Sequence, residues 1–489
     1  MGGPSVAIVG SGFSGLGLAI GLKRAGLTGF TVFERAGDVG GVWRENTYPG
    51  AACDAPSHLY SYSFEPKHDW SRRFAPQPEI LDYLRACARK YGVMEHMAFG
   101  TEITAAEFDA GSGRWTLRTA GGETREADVL VSACGQLSRP SVPDIPGLES
   151  FGGTVFHSAE WDHGRDLSGR EIAVVGNGAS AVQFVPRIAP EAARLTVFQR
   201  EPQWVGWKWD RRYPRARSWL NRRVPVLQRL SRLGVFVWFE VLLNPMLISP
   251  RGRRVLSAHI RALCRTTRWS VRDKEMRRNL TPDYELGCKR VLVSSDYYRS
   301  LNLPHVDVVT SAIVKVTPDA VVTADGRSHP ADTIIMGTGF RSHGFVAPMR
   351  VTGLDGRALE DAWRDGPRAY LGLAVAGFPN FFLMYGPNTN VGSGSVVHML
   401  ESQIAYIVQA VRALRDPEVL YMDVREGVLS AFDERLQRRL GRTVWNAGGC
   451  GSWYLRGDGR NASNWPGSML DYRRRTRRLD PSDYRFVQR

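Results

Sequence analysis

One local grammar occurs twice in this chain, and it restricts the fold more than any other feature. Ser5-Val-Ala-Ile-Val-Gly10-Ser-Gly12-Phe13-Ser14-Gly15 runs an apolar strand into a glycine-rich turn. Residues 16–25 then read as an apolar helix, and a second strand, Thr31-Val-Phe33, ends in Glu34. Ile172-Ala-Val-Val-Gly176-Asn177-Gly178-Ala179-Ser180-Ala181 repeats the turn with Ala181 in the place of the third glycine. Thr196-Val-Phe-Gln199-Arg200 then repeats Thr31-Val-Phe-Glu34-Arg35 almost letter for letter. Each copy reads as a βαβ unit in which the glycines let backbone approach a pyrophosphate at a helix N-terminus, and the residue closing the second strand reads the ribose. The chain is therefore expected to be α/β, with two Rossmann-like dinucleotide-binding domains.

The two copies differ where the ribose is read. Glu34 suits unphosphorylated ribose hydroxyls such as those of FAD, with Arg35 beside it. Gln199 lacks the carboxylate that would repel a 2′-phosphate, and Arg200 supplies a charge-assisted partner for one. Such a bond is worth roughly 1.5 to 3 kcal/mol, about ten- to a hundredfold in favour of NADPH over NADH. Glu201, next along, works against that preference.

A second echo pairs Ala127-Asp-Val-Leu-Val-Ser-Ala-Cys-Gly135 with Ala331-Asp-Thr-Ile-Ile-Met-Gly-Thr338-Gly339. Both read as strands ending in small residues that lie against a cofactor, as expected when the chain crosses between two nested domains. The expected division is a first FAD-binding part over 1–140, a linker over 141–152 and a first NADP-binding part over 153–203. A helical insertion follows over 204–285, then a second NADP-binding part over 286–341 and a second FAD-binding part over 342–489. Arg211, Arg212, Arg215, Arg217, Arg222, Arg223, Arg229 and Arg232 crowd the start of the insertion with no acid among them. This run reads either as a peripheral membrane-surface segment or as a solvated helix face over the active site, with Pro225 breaking the helical register.

Composition narrows the partners. Lys and Arg total 64 against 49 Asp and Glu, a net charge of +15, but no zinc finger, basic zipper or RNA-binding signature accompanies them, so no nucleic acid partner is expected. The six cysteines show no CxxC spacing, which suits reduced thiols and argues against a metal site or dithiol chemistry. The N-terminus lacks a signal sequence. The most apolar stretch, residues 233–243, is too short to span a bilayer and meets Glu240, Asn244 and Pro245. A soluble, cytoplasmic protein is expected.

Between the two units stands Phe151-Gly-Gly-Thr-Val-Phe-His157-Ser-Ala-Glu-Trp161-Asp162. This FxGxxxHxxxW(P/D) spacing resembles the fingerprint of type I Baeyer-Villiger monooxygenases, a branch of the flavin-containing monooxygenase superfamily, and the resemblance runs from the first turn to at least Ser395. The related N- and S-oxygenases usually carry an aromatic and a basic residue where this chain has Trp161-Asp162. The resemblance implies tightly bound FAD reduced by NADPH, and a peroxyflavin that inserts one oxygen from O2 beside the carbonyl of a small ketone or aldehyde to give an ester or lactone.

Further segments extend the resemblance. Gly40-Gly41-Val-Trp43 and Tyr48-Pro-Gly-Ala-Ala-Cys-Asp54 match segments near the flavin, with Asp54 as the active-site aspartate. Lys289-Arg290 resembles a pair in which the lysine assists the NADPH phosphate and the arginine sits over the flavin. Tyr385-Gly-Pro-Asn388-Thr-Asn-Val-Gly-Ser-Gly-Ser395 resembles a flavin-edge loop, and Trp453 and Trp465 lie in loops resembling those that approach substrate. A guanidinium keeps its proton at working pH, so Arg290 can stabilise an anionic oxidant and a developing alkoxide, with Asp54 holding it. His157, with Arg290 and Asp54 among the candidate catalytic residues, is expected to position the hinge between domains and the nicotinamide cofactor rather than to donate a proton. The competing functions are a flavin N- or S-oxygenase, an uncoupled NADPH oxidase, a disulfide reductase disfavoured by the missing CxxC, and a non-catalytic flavin-binding protein.

Overall fold

The computed structural model describes residues 3–489. Five parallel strands form one sheet in the order Phe381–Leu383, Val129–Ser132, Val6–Val9, Phe30–Phe33, Met97–Ala98. A second parallel sheet has the order Val306–Val309, Arg194–Phe198, Glu171–Val175, Thr333–Met336, Thr154–His157. In each, the strand that feeds the glycine turn is central, and Val6–Val9 and Ile172–Val175 are continuous apolar runs, as expected of parallel strands covered on both faces. The echoed segments have a common role: Val129–Ser132 pairs with Val6–Val9, and Thr333–Met336 with Glu171–Val175.

That pairing explains the first glycine of each turn. Gly10 and Gly176 have φ of +105° and +104°. A Cβ would lie 2.6 Å from the Ala133 carbonyl oxygen on Gly10, and 2.5 Å from that of Gly337 on Gly176. Backbone of the neighbouring strand fills the space, so a side chain is excluded by the fold itself.

The chain crosses between the sheets through two paired segments. Ser141 donates to the Gly339 carbonyl at 2.9 Å, Arg341 to that of Arg139 at 2.9 Å, and the Thr338 hydroxyl to that of Ser141 at 2.5 Å. Between Arg194–Phe198 and Val306–Val309 of the second sheet lie helices from Arg215–Arg223 to Lys274–Asn279. Pro225 opens a new helix at its first position, where a missing N–H costs nothing, so the register does break there.

Two sequence expectations need correction. Residues 233–243 do not form a short, interrupted segment: helix runs from Pro225 to Ile248, 24 residues that are long and apolar enough to cross a membrane, with only 17 % of the most apolar window buried. Glu240 does not break it, because its carboxylate accepts the backbone N–H groups of Met469 and Leu470 at 3.2 and 2.8 Å. A wide π turn over Trp238–Leu243 precedes Pro245, whose ring nitrogen has no N–H to lose. Nor are all six cysteines reduced: Cys288 and Cys450, 162 residues apart, form a disulfide. The Glu285 amide donates to Gly448 at 3.1 Å, so the fold brings together two loops whose proximity no spacing rule reveals. Cys53, Cys87, Cys134 and Cys264 are free thiols.

The turn glycines give a direct test. Gly10→Ala is expected to destabilise the protein by about 2 to 4 kcal/mol, through positive φ and backbone collision together. Gly12→Ala, at φ −71° and with its nearest neighbour, Gly41 Cα, at 3.6 Å, is expected to stay within about 1 kcal/mol of the parent. Denaturant unfolding of the flavin-free proteins distinguishes the two, and equal losses would contradict the packing argument.

Candidate active site

Both glycine turns end in uncapped helices. Phe13–Arg24 and Ala179–Ile188 start after Gly12 and Gly178, with no side-chain cap and no acid in the first turn. The first amides therefore point outward unsatisfied at the positive pole of each helix. A Cβ on Gly178 would find nothing closer than the Gly337 carbonyl oxygen at 4.0 Å, and Gly12 is similarly open. The protein's own packing does not require glycine there, so the open space suits a ligand's phosphates against backbone. The residues present fit a dinucleotide in both units.

The ribose-reading positions are built differently. Glu34 is buried, and its carboxylate accepts from the Ser11 amide at 3.0 Å, the Ser11 hydroxyl at 2.7 Å and the Ala36 amide at 3.0 Å, with Arg44 at 3.2 Å. It thus stands at the mouth of the first turn, where Gly12 and Gly41 meet. Phe13, Ser14 and Gly15 are buried in the helix behind, and the Trp43 indole donates to the Tyr60 hydroxyl at 3.1 Å. In the second unit Gln199 accepts from Asn177 at 2.8 Å and donates to the Asn279 carbonyl at 3.0 Å. Arg200 is exposed beside it, and Lys289 forms an ion pair with Glu201. The fold therefore gathers Asn177, Arg200 and Lys289 around one strand end.

Asp54 and Arg290 meet across 236 residues. Arg290 Nε donates to Asp54 Oδ2 at 2.7 Å and Nη2 to Oδ1 at 2.8 Å, a two-pronged bond between side chains 34 % and 27 % exposed. Burial raises the Asp54 carboxyl, but the Arg290 charge and bonds, helped by Lys208, outweigh it and hold the group below its ordinary value. The Asp54 charge and bonds raise Arg290 still further above its own, against burial. Tyr385 and Tyr454 stand close enough to feel the guanidinium. Burial raises both hydroxyls, Tyr454 to about 12, so both remain protonated donors at neutral pH. The Tyr454 hydroxyl is buried with no hydrogen-bond partner among the described residues, a polar atom free for a ligand beside Arg290.

A cleft of about 660 Å³ separates the two units next to this pair, lined by Tyr48, Ala52, Gln183, Arg187, Lys208 and Asp210 among others. Gln183, on the helix of the second unit, accepts from the Tyr48 hydroxyl at 3.0 Å and the Ala52 amide at 3.2 Å, and donates to the Ala52 carbonyl at 2.9 Å. It anchors the loop that carries Asp54. The sequence reading missed Gln183 and Lys208; neither belongs to a motif, and their importance comes from which loop they touch.

Other sequence candidates lie elsewhere. Arg35 turns outward to Glu45 at 2.7 Å. Asn388 spends its amide on the Asn461 and Asn464 carbonyls at 2.7 and 3.2 Å, and its backbone N–H on the Ala462 carbonyl at 2.9 Å. His157 packs edge-on against Phe340 at the crossover, accepts the Ala159 amide at 3.1 Å and, among the described residues, makes no hydrogen bond to Asp54 or Arg290. Burial lowers its pKa, so it is neutral. Its place is the crossover beside Phe340. Trp465 is a fully buried core anchor, whereas Trp453 is 41 % exposed.

Comparison with known proteins agrees with this geometry. The flavin-binding monooxygenase-like family matches residues 3–242. A Baeyer-Villiger monooxygenase of Streptomyces coelicolor is 45% identical over 99% of this chain and 92% of its own length. An oxidised steroid monooxygenase bound to NADP superposes with a TM-score of 0.87 at 30% identity, covering 99% of this chain and 100% of that one. An OTEMO complex with FAD and NADP gives 0.88 at 27% identity, covering 100% of both. With two open dinucleotide turns and an Arg-Asp pair between them, the chain belongs to the flavin-binding monooxygenase-like family and, within it, to the Baeyer-Villiger monooxygenases, oxidoreductases that use FAD and NADPH.

Proposed function

We propose that this enzyme converts a small ketone or aldehyde to an ester or lactone, consuming one NADPH, one proton and one O2 and releasing NADP and water. The observation that carries the assignment to these residues is the Asp54–Arg290 pair held between the two dinucleotide units. FAD, when bound and reduced by NADPH, supplies the oxygen-activating chemistry.

The chain's residues do the rest. Gly10 to Gly15 with Glu34 would hold FAD by its phosphates and ribose. Gly176 to Ala181 with Arg200 and Lys289 would hold NADPH. Arg290 is the electrostatic catalyst: its N–H groups not bonded to Asp54 face an oxyanion forming at the substrate carbonyl oxygen, and its proton does not leave at any working pH. Asp54 fixes the guanidinium plane, so little reorganisation accompanies the reaction. Lys208, whose pKa burial lowers, lines the cleft on the Asp54 side. A flavin N- or S-oxygenase needs an acidic proton at its oxidant, and a permanently charged arginine at the centre disfavours it. NADPH and O2 as co-substrates fit a cytoplasmic enzyme.

Arg290→Ala is expected to leave NADPH-driven flavin reduction intact while ester formation falls by about 10²- to 10³-fold. Labelled O2 and a ketone panel measure it, and undiminished label in the ester would remove Arg290 from the mechanism. Asp54→Asn keeps the volume and loses the charge, with kcat reduced about ten- to a hundredfold.

A carboxylate held below its ordinary pKa stabilises the fold above that ordinary value, and the contribution disappears as pH falls through the lowered one. The wild-type stability advantage over Asp54→Asn is therefore expected to be constant from about pH 5 to 9 and to vanish only in stronger acid. Arg200→Ala is expected to cut the preference for NADPH over NADH by about ten- to a hundredfold in kcat/KM. An unchanged ratio would leave phosphate recognition to Lys289.

A further inference from the structure

The helix Pro225–Val237 and the π turn after it are mounted inside out. Their polar side faces the protein: Gln228 donates to the Lys67 carbonyl at 2.6 Å, Ser231 meets His58 at 2.9 Å, and Arg232 donates to the carbonyls of His58 and Ser61 at 2.9 Å each. Glu240 completes this row by holding the Met469 and Leu470 amides. The opposite side is apolar and open. Val226, Leu230, Leu233, Val237 and Val241, spaced by three or four residues, are 45 % to 59 % exposed. Because the polar bonds lock the rotation of the helix, this stripe cannot turn inward, and soluble surfaces rarely leave so continuous a stripe uncovered.

The charge around the stripe indicates what covers it. Arg222, Arg223 and Arg229 are exposed, and among the described residues no arginine from 211 to 232 lies within ion-pair distance of a carboxylate. The helix Met469–Arg475, tied to Glu240, adds Arg473 and Arg474, both exposed. A second copy of the chain is a poor cover, since a two-fold contact would set these arginines against themselves. Nor does the helix span a bilayer as folded, because Gln228, Arg232 and Glu240 are bonded to the domain beneath.

We propose that this stripe is a peripheral docking face for a bilayer with anionic headgroups: the apolar residues enter the interface and the arginines pair with lipid phosphates. The helix lies flat, and the enzyme stays outside the hydrocarbon.

Flotation of the purified holoenzyme with vesicles tests this. Wild type is expected to float with phosphatidylcholine vesicles carrying phosphatidylglycerol, to remain unbound with phosphatidylcholine alone, and to be released when salt rises from about 0.05 M to about 0.5 M. The pair Arg222→Gln with Arg223→Gln is expected to weaken partition about ten- to thirtyfold. Leu230→Ser with Leu233→Ser is expected to weaken it at least about tenfold. Both variants should keep the flavin spectrum and the NADPH oxidation rate, because none of the four residues touches either dinucleotide turn or the Asp54–Arg290 pair. Failure to float with anionic vesicles, or equal flotation with neutral ones, overturns the proposal. Sedimentation showing a dimer that the leucine pair dissolves would overturn it too, by assigning the stripe to a second copy.

Discussion

The ion pair between Asp54 and Arg290 makes sense of the architecture around it. A two-pronged carboxylate–guanidinium bond tolerates little displacement, so two segments 236 residues apart must be delivered to one point within tenths of an ångström. The Asp54 loop is held by Gln183 from the second unit's first helix. The Arg290 loop is held by Lys289 on Glu201 and by the Cys288–Cys450 disulfide. Each side of the pair is thus secured by an element far from it in sequence. Its electrostatics follow from position: beside an unbroken partner and the neutral hydroxyls of Tyr385 and Tyr454, both charges persist throughout the working pH range.

The duplicated units supply the frame for this junction. Each sheet places its glycine turn at the C-terminal end of a central strand, where ligands of open α/β sheets bind. The strand next to it forces the first glycine by backbone contact. The second glycine has a different origin, since its missing side chain clears space that the protein itself leaves open. Two glycines two residues apart therefore serve separate purposes, one for folding and one for a ligand.

The insertion follows the opposite logic to the sheets. There the apolar residues point to the core, whereas the Pro225–Val237 helix spends Gln228 and Arg232 on the domain beneath and presents Val226, Leu230, Leu233 and Val237 outward. Polar bonds to backbone carbonyls are directional and fix the helix angle, which apolar packing alone would not do.

Much of the fold was legible in residue order, for a local reason. A strand, a glycine turn and a helix specify one another within about thirty residues, so the duplicated grammar at Gly10 and Gly176 revealed two dinucleotide units, and the change from Glu34 to Gln199 marks the difference between them. The strand echoes at 127–135 and 331–339 announced the crossing. Motif resemblance also named Asp54 and Arg290 and the holding role of the carboxylate, but not the two-pronged geometry of their bond. What only the tertiary structure decided was every relation between distant segments: the disulfide, the Gln183 anchor, the inward use of Asn388 and the contact of His157 with Phe340. It also decided which way the Arg-rich helix faces. Apolar periodicity identifies the sides of a helix but not which one meets the core, because that choice is made by hydrogen bonds to residues 58–68, more than 150 positions away.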